Sequence, residues 1–446
     1  MRSIEVTLDP MKLFYSRLAS GLASLAVIVS LLALFGGCFR AIQSDFSDAD
    51  LQSTTNRLAA GDIPAGLKTL EADNSFGPVH VTATDGPTDH WSWKLTVQAR
   101  TDSSAREWAE ASSCVATPNG DTLRLAVSLP RSEGPRRIES ALEIQVPKAL
   151  AVRISNRFGE LTIQGVSGDV EAGNENGSVA LRELPGRVRA ETSFAAMSAE
   201  RLGPAALKNQ NGSIEVRNVN GPLEASTRFA SLEARDISGR ATLRDENGSI
   251  EVENVKGDAD LDTSFSRLSA RNIEGKARIH NQNGGVEIEH VTGDVEARTS
   301  FARLQVEDVS GSAALEDQNG ELEALRIQGA VKAETSFAGM NIESAGRTLD
   351  CRNQNGSIRL RATSSEVSRV EAETSFAAIE LRLPAGLKPT IQAHTTFADV
   401  ESDFPIVLGR GAADSAQELE AGGAAVRVNN QNGSIRILRE HSMAEK

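Results

Sequence analysis

Apolar and polar residues alternate along most of this chain, and the alternation returns with a repeat of 18 residues. Two phrases mark the repeat by turns, a Phe in sequences such as TSFAAM and an Asn-Gly pair in sequences such as NQNGSI. They begin at Phe158, Asn176, Phe194, Asn211, Phe229, Asn247, Phe265, Asn283, Phe301, Asn319, Phe337 and Asn355. Two steps of 21 residues follow, to Phe376 and Phe397, and Asn-Gly returns at Asn432. Such a short period without helical spacing predicts a solenoid.

Within each repeat, the apolar positions predict two short strands. The fourth residue, counting the Phe or Asn as the first, is aliphatic or Met, and the sixth is apolar in many units, as in Val252 and Ile288. This period of two predicts a strand with one buried face. A Gly then predicts a corner, and a second alternating segment completes the coil. Its two inward positions combine one large and one small residue, as in Val170 with Ala172, so the volume of a narrow core is conserved.

The pattern therefore predicts an all-β fold, a single-stranded parallel β-helix (β-solenoid) of 18-residue coils, in which both phrases fall at the same corner. We expect Asn-Gly to form a tight turn where positive φ costs little, and Ser-Phe-Ala to form a wider turn whose ring covers the edge of the core. An Asn, Asp or Thr precedes each phrase, and we expect these side chains to form a ladder that hydrogen-bonds between coils: Asn174, Thr192, Asn209, Thr227, Asp245, Thr263, Asn281, Thr299, Asp317, Thr335 and Asn353.

The first residues are typical of an export signal. Lys12 and Arg17 precede an apolar run from Leu18 to Phe35, which ends in two glycines and Cys38. This order predicts a secretory signal, and it resembles a bacterial lipoprotein signal in which Cys38 would be lipidated. The alternative is an uncleaved N-terminal membrane helix, because the run is long enough to span a bilayer. Either form predicts retention at the membrane with the rest of the chain outside the cytoplasm.

The chain divides into five predicted parts. Residues 1–38 are the signal peptide or membrane anchor, 39–66 a tether, 67–157 an irregular β cap with the first coils, 158–438 the regular solenoid and 439–446 a tail. Residues 74–86 match residues 156–168 closely enough to predict an early coil. The irregular part between them also predicts a short helix near Ala105 to Ala111.

One series of residues carries a family resemblance. The sequence FGxLxIxGVxGDVxAxNxNGSV from Phe158 to Val179, together with the repeated NGSIxV, resembles the bacterial putative adhesin domain family. The resemblance covers roughly Leu67 to Leu438. It implies a β-solenoid of the cell envelope with no assigned activity. It transfers no catalytic or binding residue.

Charge and motifs limit the possible functions. The formal net charge is -14, from 61 acidic and 47 basic residues that are mixed along the chain. No basic stripe predicts nucleic-acid binding. The six His are scattered, and no nucleophile motif, phosphate-binding loop or zinc signature occurs, so we expect no catalysis, metal or cofactor.

Two small groups are weak candidates for ligand binding. Glu215, Glu233 and Glu251 occupy the same position in three consecutive coils. A stripe of carboxylates could bind a divalent cation, but a solvated face with cross-strand ion pairs to nearby arginines is the favoured interpretation. Trp91 and Trp93 would lie on one face of a strand, where they could stack on sugars or, as we favour, form the core of the N-terminal cap.

The two remaining cysteines, Cys114 and Cys351, could form a disulfide in an oxidising compartment. Cys351 takes a position that is Ala, Leu or Ile in other coils, so the better interpretation is a small buried residue.

The sequence hypothesis is a non-catalytic, membrane-anchored extracytoplasmic β-solenoid that acts as an adhesin-like or structural surface module. Its expected partners are the membrane, through the N-terminal segment, and a polysaccharide or an envelope protein. Two alternatives stay open: a polysaccharide-active β-helix enzyme, and an envelope scaffold or sensor that binds a membrane partner.

Overall fold

The computed structural model describes residues 53–85, 89–130, 137–408 and 423–440. The predicted signal or anchor, including Cys38, lies outside these residues, as do the first part of the tether and the end of the tail. Among the residues that are described, no helix has the length and apolarity needed to cross a membrane.

The N-terminal part consists of strands of uneven length and one short helix. Their bounds are β1 (Ser53–Asp62), β2 (Thr69–Asp73), β3 (Val79–Thr84), β4 (His90–Ala99), α1 (Asp102–Glu110), β5 (Ser113–Asn119), β6 (Thr122–Ser128), β7 (Arg137–Pro147) and β8 (Ala151–Asn156). The helix expected near Ala105 is therefore confirmed. Strand β1 lies within residues 39–66, which the sequence analysis assigned to a tether. Its alternating residues are half-buried and exposed by turns, and their polar types hid the strand pattern.

Helix α1 lies within Leu95–Ser112, which belongs to a small compact unit; most of the solenoid belongs to a second unit. Thr101 caps its first turn, because the hydroxyl accepts a hydrogen bond from the Ser104 amide at 3.3 Å. Arg57 donates to the carbonyl oxygens of Ala109 at 2.9 Å and Glu110 at 2.5 Å. A cation thus satisfies the free carbonyl groups at the negative end of the helix dipole.

The regular coils follow as alternating strands of two parallel sheets. Their bounds are β9 (Leu161–Gln164), β10 (Val170–Asn174), β11 (Val179–Leu184), β12 (Val188–Thr192), β13 (Met197–Leu202), β14 (Ala205–Asn209), β15 (Ile214–Val219), β16 (Leu223–Thr227), β17 (Leu232–Ile237), β18 (Ala241–Asp245), β19 (Ile250–Val255), β20 (Ala259–Thr263), β21 (Leu268–Ile273), β22 (Ala277–Asn281), β23 (Val286–Val291), β24 (Val295–Thr299), β25 (Leu304–Val309), β26 (Ala313–Asp317), β27 (Leu322–Ile327), β28 (Val331–Thr335), β29 (Met340–Ser344) and β30 (Thr348–Asn353).

The C-terminal coils are less regular. They contain β31 (Ile358–Ala362), β32 (Arg369–Thr374), β33 (Ile379–Pro384), β34 (Thr390–Thr395), β35 (Val400–Ser402), β36 (Ile406–Leu408), β37 (Ala425–Asn430) and β38 (Ile435–Glu440).

The register between coils confirms the predicted all-β parallel solenoid. Ala234, Val252 and Ala270 are partners in neighbouring strands of one sheet, 18 residues apart. In the other sheet, Ala172 lies opposite Ala190 with the same spacing. The large and small residues of the second segment are buried along the coils, so side chains of conserved total volume fill the narrow space between the sheets.

The Asn, Asp and Thr side chains at the phrase corner form the predicted ladder. Asn209 Nδ2 donates to the carbonyl oxygen of Ala195 in the preceding coil at 2.8 Å. The Thr227 hydroxyl donates to Gly212 O at 3.0 Å, and Thr263 repeats this bond to Gly248 O at 3.1 Å. The ladder is buried. Its Asn and most of its Thr side chains satisfy polar backbone groups inside the corner and tie their coils to the preceding ones.

The Asn-Gly glycines have a different role from the one predicted. The glycine of the NGS-type phrase, as at Gly212, Gly248 and Gly284, does not have a positive φ in the described coils. A Cβ on Gly212 would instead lie 2.2 Å from the carbonyl oxygen of Ala195 and 2.7 Å from Asn209 Nδ2. Glycine is therefore required because the preceding coil and the inward Asn leave no room for a side chain.

Left-handed backbone occurs at the opposite corner, which the sequence analysis did not predict. Nine consecutive coils hold a non-glycine residue with φ between 56° and 60° there: Glu183, Arg201, Asn218, Asp236, Asn254, Asn272, His290, Asp308 and Arg326. This residue interrupts the period of two, so that two exposed residues are followed by a third buried one, as in Leu184. The Asn, Asp and His in the column are types that tolerate this conformation.

Both ends of the solenoid depart from sequence order. Strands β2 and β3 lie between β6 and β7 on one side and β8 and β9 on the other. At the C-terminus, β37 pairs with both β32 and β34, and β38 pairs with both β33 and β35. The last coil in the sequence is therefore inserted between two earlier ones.

Candidate functional site: an exposed phenylalanine column

The corner phrases place a row of phenylalanine rings in solvent. We call this row the phenylalanine column; its rings are exposed by 58% at Phe229 to 79% at Phe397, and it consists of Phe194, Phe229, Phe265, Phe301, Phe337, Phe376 and Phe397. The expectation that these rings cover the edge of the core is wrong. The inward position at this corner is already filled by the ladder residue, such as Thr192 two positions before Phe194.

The column has a regular spacing. Each phenylalanine coil is followed by an Asn-Gly coil, and neighbouring strands of a sheet are about 4.8 Å apart, so successive rings are roughly 10 Å apart. The inserted C-terminal coil keeps this order. The coil of Asn432 separates the coils of Phe376 and Phe397 in space, although those two phenylalanines follow one another in the sequence.

Adjacent coils would bring the rings into contact, as the N-terminal end demonstrates. The coils of Phe76 and Phe158 are direct neighbours, and these two rings stack with centroids 5.2 Å apart and an angle of 5° between their planes. In the phenylalanine column, an Asn-Gly coil lies between successive rings. Both faces of each ring are therefore left without a neighbouring ring of the column.

The Asn residues between the rings are folded back onto the backbone. Asn211 Nδ2 donates to Ser193 O at 2.9 Å, and Asn283 Nδ2 donates to Ser264 O at 3.1 Å. The same bond recurs at Asn247, Asn319, Asn355 and Asn432. The surface between successive rings therefore consists of backbone, glycine and an Asn amide that is hydrogen-bonded to the backbone.

The residues directly next to each Phe in the sequence are mostly small and uncharged. The residue after each Phe of the column is Ala or Ser, and the residue before it is Ser or Thr except at Arg228, which pairs with Glu246 at 3.2 Å. The residue before the Asn of an Asn-Gly coil is an exposed Gln at Gln210, Gln282, Gln318, Gln354 and Gln431. Aromatic rings and exposed amides thus alternate along one line, except at Glu246, which takes the Gln position before Asn247.

The glutamate stripe is a network of ion pairs. Glu215, Glu233 and Glu251 are in register, as predicted. Arg217 pairs with Glu215 at 2.5 Å, and Arg235 lies 2.5 Å from Glu233 and 3.2 Å from Glu251. The hydrogen bond to Glu251 and the surrounding carboxylates raise the pKa of Arg235. Within the described ranges, no group of three or more His, Cys, Asp or Glu side chains is arranged to hold a metal ion.

Both predicted tryptophans are buried in the N-terminal part of the solenoid unit. The Trp93 indole donates to the Ser140 hydroxyl at 2.7 Å, and Ser140 donates to Asn74 at 2.8 Å. The Trp91 ring lies against Gly61. This burial agrees with the role in the cap core, and no ring face of the pair is presented to a sugar.

The two cysteines of the described coils are not paired with each other. Cys351 is fully buried, and burial raises the pKa of its thiol to about 12. Burial likewise raises the pKa of Cys114 to about 11. Both thiols are therefore weak nucleophiles near neutral pH.

A groove with a volume of about 1360 Å³ lies on the outer face near the C-terminus. Its carboxylates are held by arginines. Glu380 pairs with Arg382 at 2.8 Å, and Glu440 pairs with Arg361.

Comparison with known proteins identifies the family. The family model described as Toastrack DUF4097 matches residues 88–438, so the chain belongs to this family. The recognition of an adhesin-like β-solenoid family from the residues is thereby confirmed. No curated protein matches the sequence.

Two solved structures are similar to this chain over most of its length. One is a putative cell adhesion protein from Clostridium sporogenes ATCC 15579, with 8% identity, coverage of 87% of this chain and 100% of that chain, and a TM-score of 0.17. The other is a putative adhesin from Bacteroides fragilis NCTC 9343, with 10% identity, coverage of 87% and 99%, and a TM-score of 0.18.

Proposed function

We propose that this protein is a non-catalytic, adhesin-like surface module that binds an extended, uncharged polymer along the phenylalanine column. Residues 1–38 would hold it at the membrane, as a lipoprotein or by a single helix, with the solenoid outside the cytoplasm. The observation that supports binding is the column itself. Large exposed rings on a soluble surface mark interaction sites, and here seven of them share one line.

A repeated, weak contact suits an adhesive function. Each ring offers a modest stacking energy, of about 0.5–1.5 kcal/mol for aromatic pairs. Several rings that engage one polymer act together, because each later contact forms within the same complex. A rigid β-solenoid keeps the rings at a constant interval, so the contacts do not have to be ordered upon binding.

The alternative of a polysaccharide-active enzyme has less support. The carboxylates of the C-terminal groove are engaged by arginines. Beside the phenylalanine column, Glu316 and Glu334 pair with Arg298 and Lys332. The alternative of an envelope scaffold or sensor has no specific observation in its favour.

The test is retention of the full-length protein, purified in detergent, on a panel of insoluble neutral and charged polysaccharides. We expect retention on neutral polymers without new chain ends. The triple variant Phe229→Ser, Phe265→Ser and Phe301→Ser should bind at least about ten-fold more weakly, because three stacking contacts are lost. Serine suits these exposed positions, so folding should be preserved, as circular dichroism would verify.

The matched control replaces three residues on the outer face of the other strand in the same coils, Glu224→Ser, Asp260→Ser and Glu296→Ser, each five positions before the Phe. It should bind as the unmodified protein does. Equal losses in both triple variants, or no retention on any polymer, would contradict the proposed function. New chain ends would support the enzyme instead.

A further inference from the structure

We infer that the polymer is a linear β-1,4-linked glycan of neutral sugars, which lies along the phenylalanine column with one disaccharide per ring. This inference rests on the proposed function and specifies its ligand. It depends on three properties of the column: the interval between the rings, the free ring faces, and the amides that alternate with the rings.

The interval is the first argument. Two coils separate successive rings, which corresponds to roughly 10 Å. In an extended β-1,4-linked glycan, each sugar is turned over relative to the previous one, so the repeating unit is a disaccharide of about this length. Equivalent faces of every second sugar would then meet equivalent rings. An α-1,4-linked glucan coils and does not offer its sugars at this interval along a line.

The free ring faces are the second argument. A pyranose ring has a face of C–H groups that stacks on an aromatic ring, provided that the ring face is open. The Phe76 and Phe158 pair demonstrates that rings on adjacent coils cover each other, at a centroid distance of 5.2 Å. The Asn-Gly coils prevent this in the column. The inserted coil of Asn432 preserves the same separation between Phe376 and Phe397.

The alternating amides are the third argument. Gln210, Gln282, Gln318 and Gln354 are exposed in the coils between the rings. A Gln amide both donates and accepts hydrogen bonds, as neutral sugar hydroxyls do. Apolar contact surfaces with a few polar groups that set orientation are typical of small-molecule sites. The arginines nearest the rings, Arg228, Arg267 and Arg303, pair with Glu246, Glu287 and Glu323. This pairing leaves them less available to an acidic glycan.

The experiment is titration calorimetry of the full-length protein with soluble β-1,4-linked glucose oligosaccharides, from the disaccharide to the octasaccharide. We expect the affinity to rise about three-fold to ten-fold with each added disaccharide, because each addition reaches one more ring. Odd-numbered additions should contribute much less. Maltooligosaccharides of the same lengths, which are α-1,4-linked, are the ligand control and should not show the steps.

Two variants test the rings and the amides separately. Phe265→Trp with Phe301→Trp enlarges two stacking surfaces and should strengthen binding of the octasaccharide several-fold, so the result does not depend on a loss of folding. Gln282→Ala with Gln318→Ala should weaken it about ten-fold while the disaccharide steps remain.

The outcomes separate this inference from the proposed function. If neutral polymers bind but the affinity rises equally for both linkages or with every single sugar, the inference is overturned and the proposed function stands. If no polymer binds at all, the proposed function fails with it. The rings could instead hold two copies of the protein together. Light scattering would then detect an association that the Phe→Ser triple variant abolishes, and this result would overturn the inference of a glycan ligand.

Discussion

At the scale of single residues, the two aspartates of the ladder do not fit its hydrogen bonding. Asp245 and Asp317 take positions where Asn209 and Asn353 donate from Nδ2 to the preceding coil. One carboxylate oxygen of each Asp accepts from backbone amides, as in the 2.8 Å bond from the Gly248 amide to Asp245. The other oxygen is buried without a hydrogen-bond partner among the described residues. Burial raises the pKa of both carboxyls, which favours the neutral acid.

The first prediction concerns pH. Because the pKa of Asp245 is raised in the folded state, its contribution is complete below the unfolded pKa of about 4 and is lost as pH rises through the folded pKa. Asp245→Asn supplies the missing donor without a charge. It should stabilise the protein near pH 7 by about 1–3 kcal/mol and flatten the decrease of stability with pH. Urea unfolding at pH 4 to 8 would measure both effects.

The control is Asp262→Asn. This carboxylate is half-exposed and lies in the neighbouring strand, one residue before the partner of Asp245. It should change the free energy of unfolding by less than about 0.5 kcal/mol. A lower stability of Asp245→Asn at neutral pH would mean that the buried aspartate is not disfavoured.

At the scale of elements, the residue with positive φ affects how a strand ends. In the sheet that contains β11, it makes the last side chain of each regular strand point inward. Strand β11 alternates to Leu181, and the left-handed Glu183 then turns Leu184 into the core. Some of the left-handed residues form hydrogen bonds with one another across coils. Asn254 Nδ2 donates to Asp236 at 2.9 Å, and Asn272 Nδ2 donates to Asn254 at 2.9 Å. Members such as Glu183 and Arg326 are not types that favour this backbone.

The second prediction tests that strain. Glu183→Gly should leave stability unchanged or raise it by up to about 1 kcal/mol, because glycine adopts positive φ without a Cβ conflict. The matched control is Arg182→Gly at the exposed neighbouring strand position, where glycine should cost about 0.5–1 kcal/mol. Chemical unfolding of both variants provides the comparison. Equal destabilisation would contradict a special backbone demand at residue 183.

At the scale of the whole molecule, the solenoid unit is closed by coils that leave sequence order. Strand β34 pairs with β37 and β36, and β35 pairs with β38. This arrangement maintains the alternation of Phe and Asn-Gly coils to the end of the column.

The third prediction follows from this order of the C-terminal coils. Truncation after Leu408 removes β37 and β38, so the amides of β34 and β35 should lose hydrogen-exchange protection. The coils from β9 to β29 should keep theirs, because the stability of a solenoid is approximately a sum over neighbouring repeats. Truncation after Glu440 is the control and should change nothing. Retained protection of β34 would indicate that this coil can pair directly with β32.

The sequence by itself determined the solenoid, the 18-residue register, the buried pairs and the inward ladder. Each of these is a local pattern that repeats, and a fixed narrow core restricts the same columns in every coil. It also placed the glutamate stripe in register with its arginines, because two residues along a strand share one face.

Only the tertiary structure decided where the phenylalanine rings point and which coils are neighbours. An apolar residue at a corner can turn either way, and the choice depended on the ladder side chains that already occupy the interior, such as Thr192. The order of the end coils depends on pairing between distant segments, which a local pattern does not specify. The candidate site was therefore visible in the sequence as a repeat of phenylalanines, and it became a surface only through the packing of the coils.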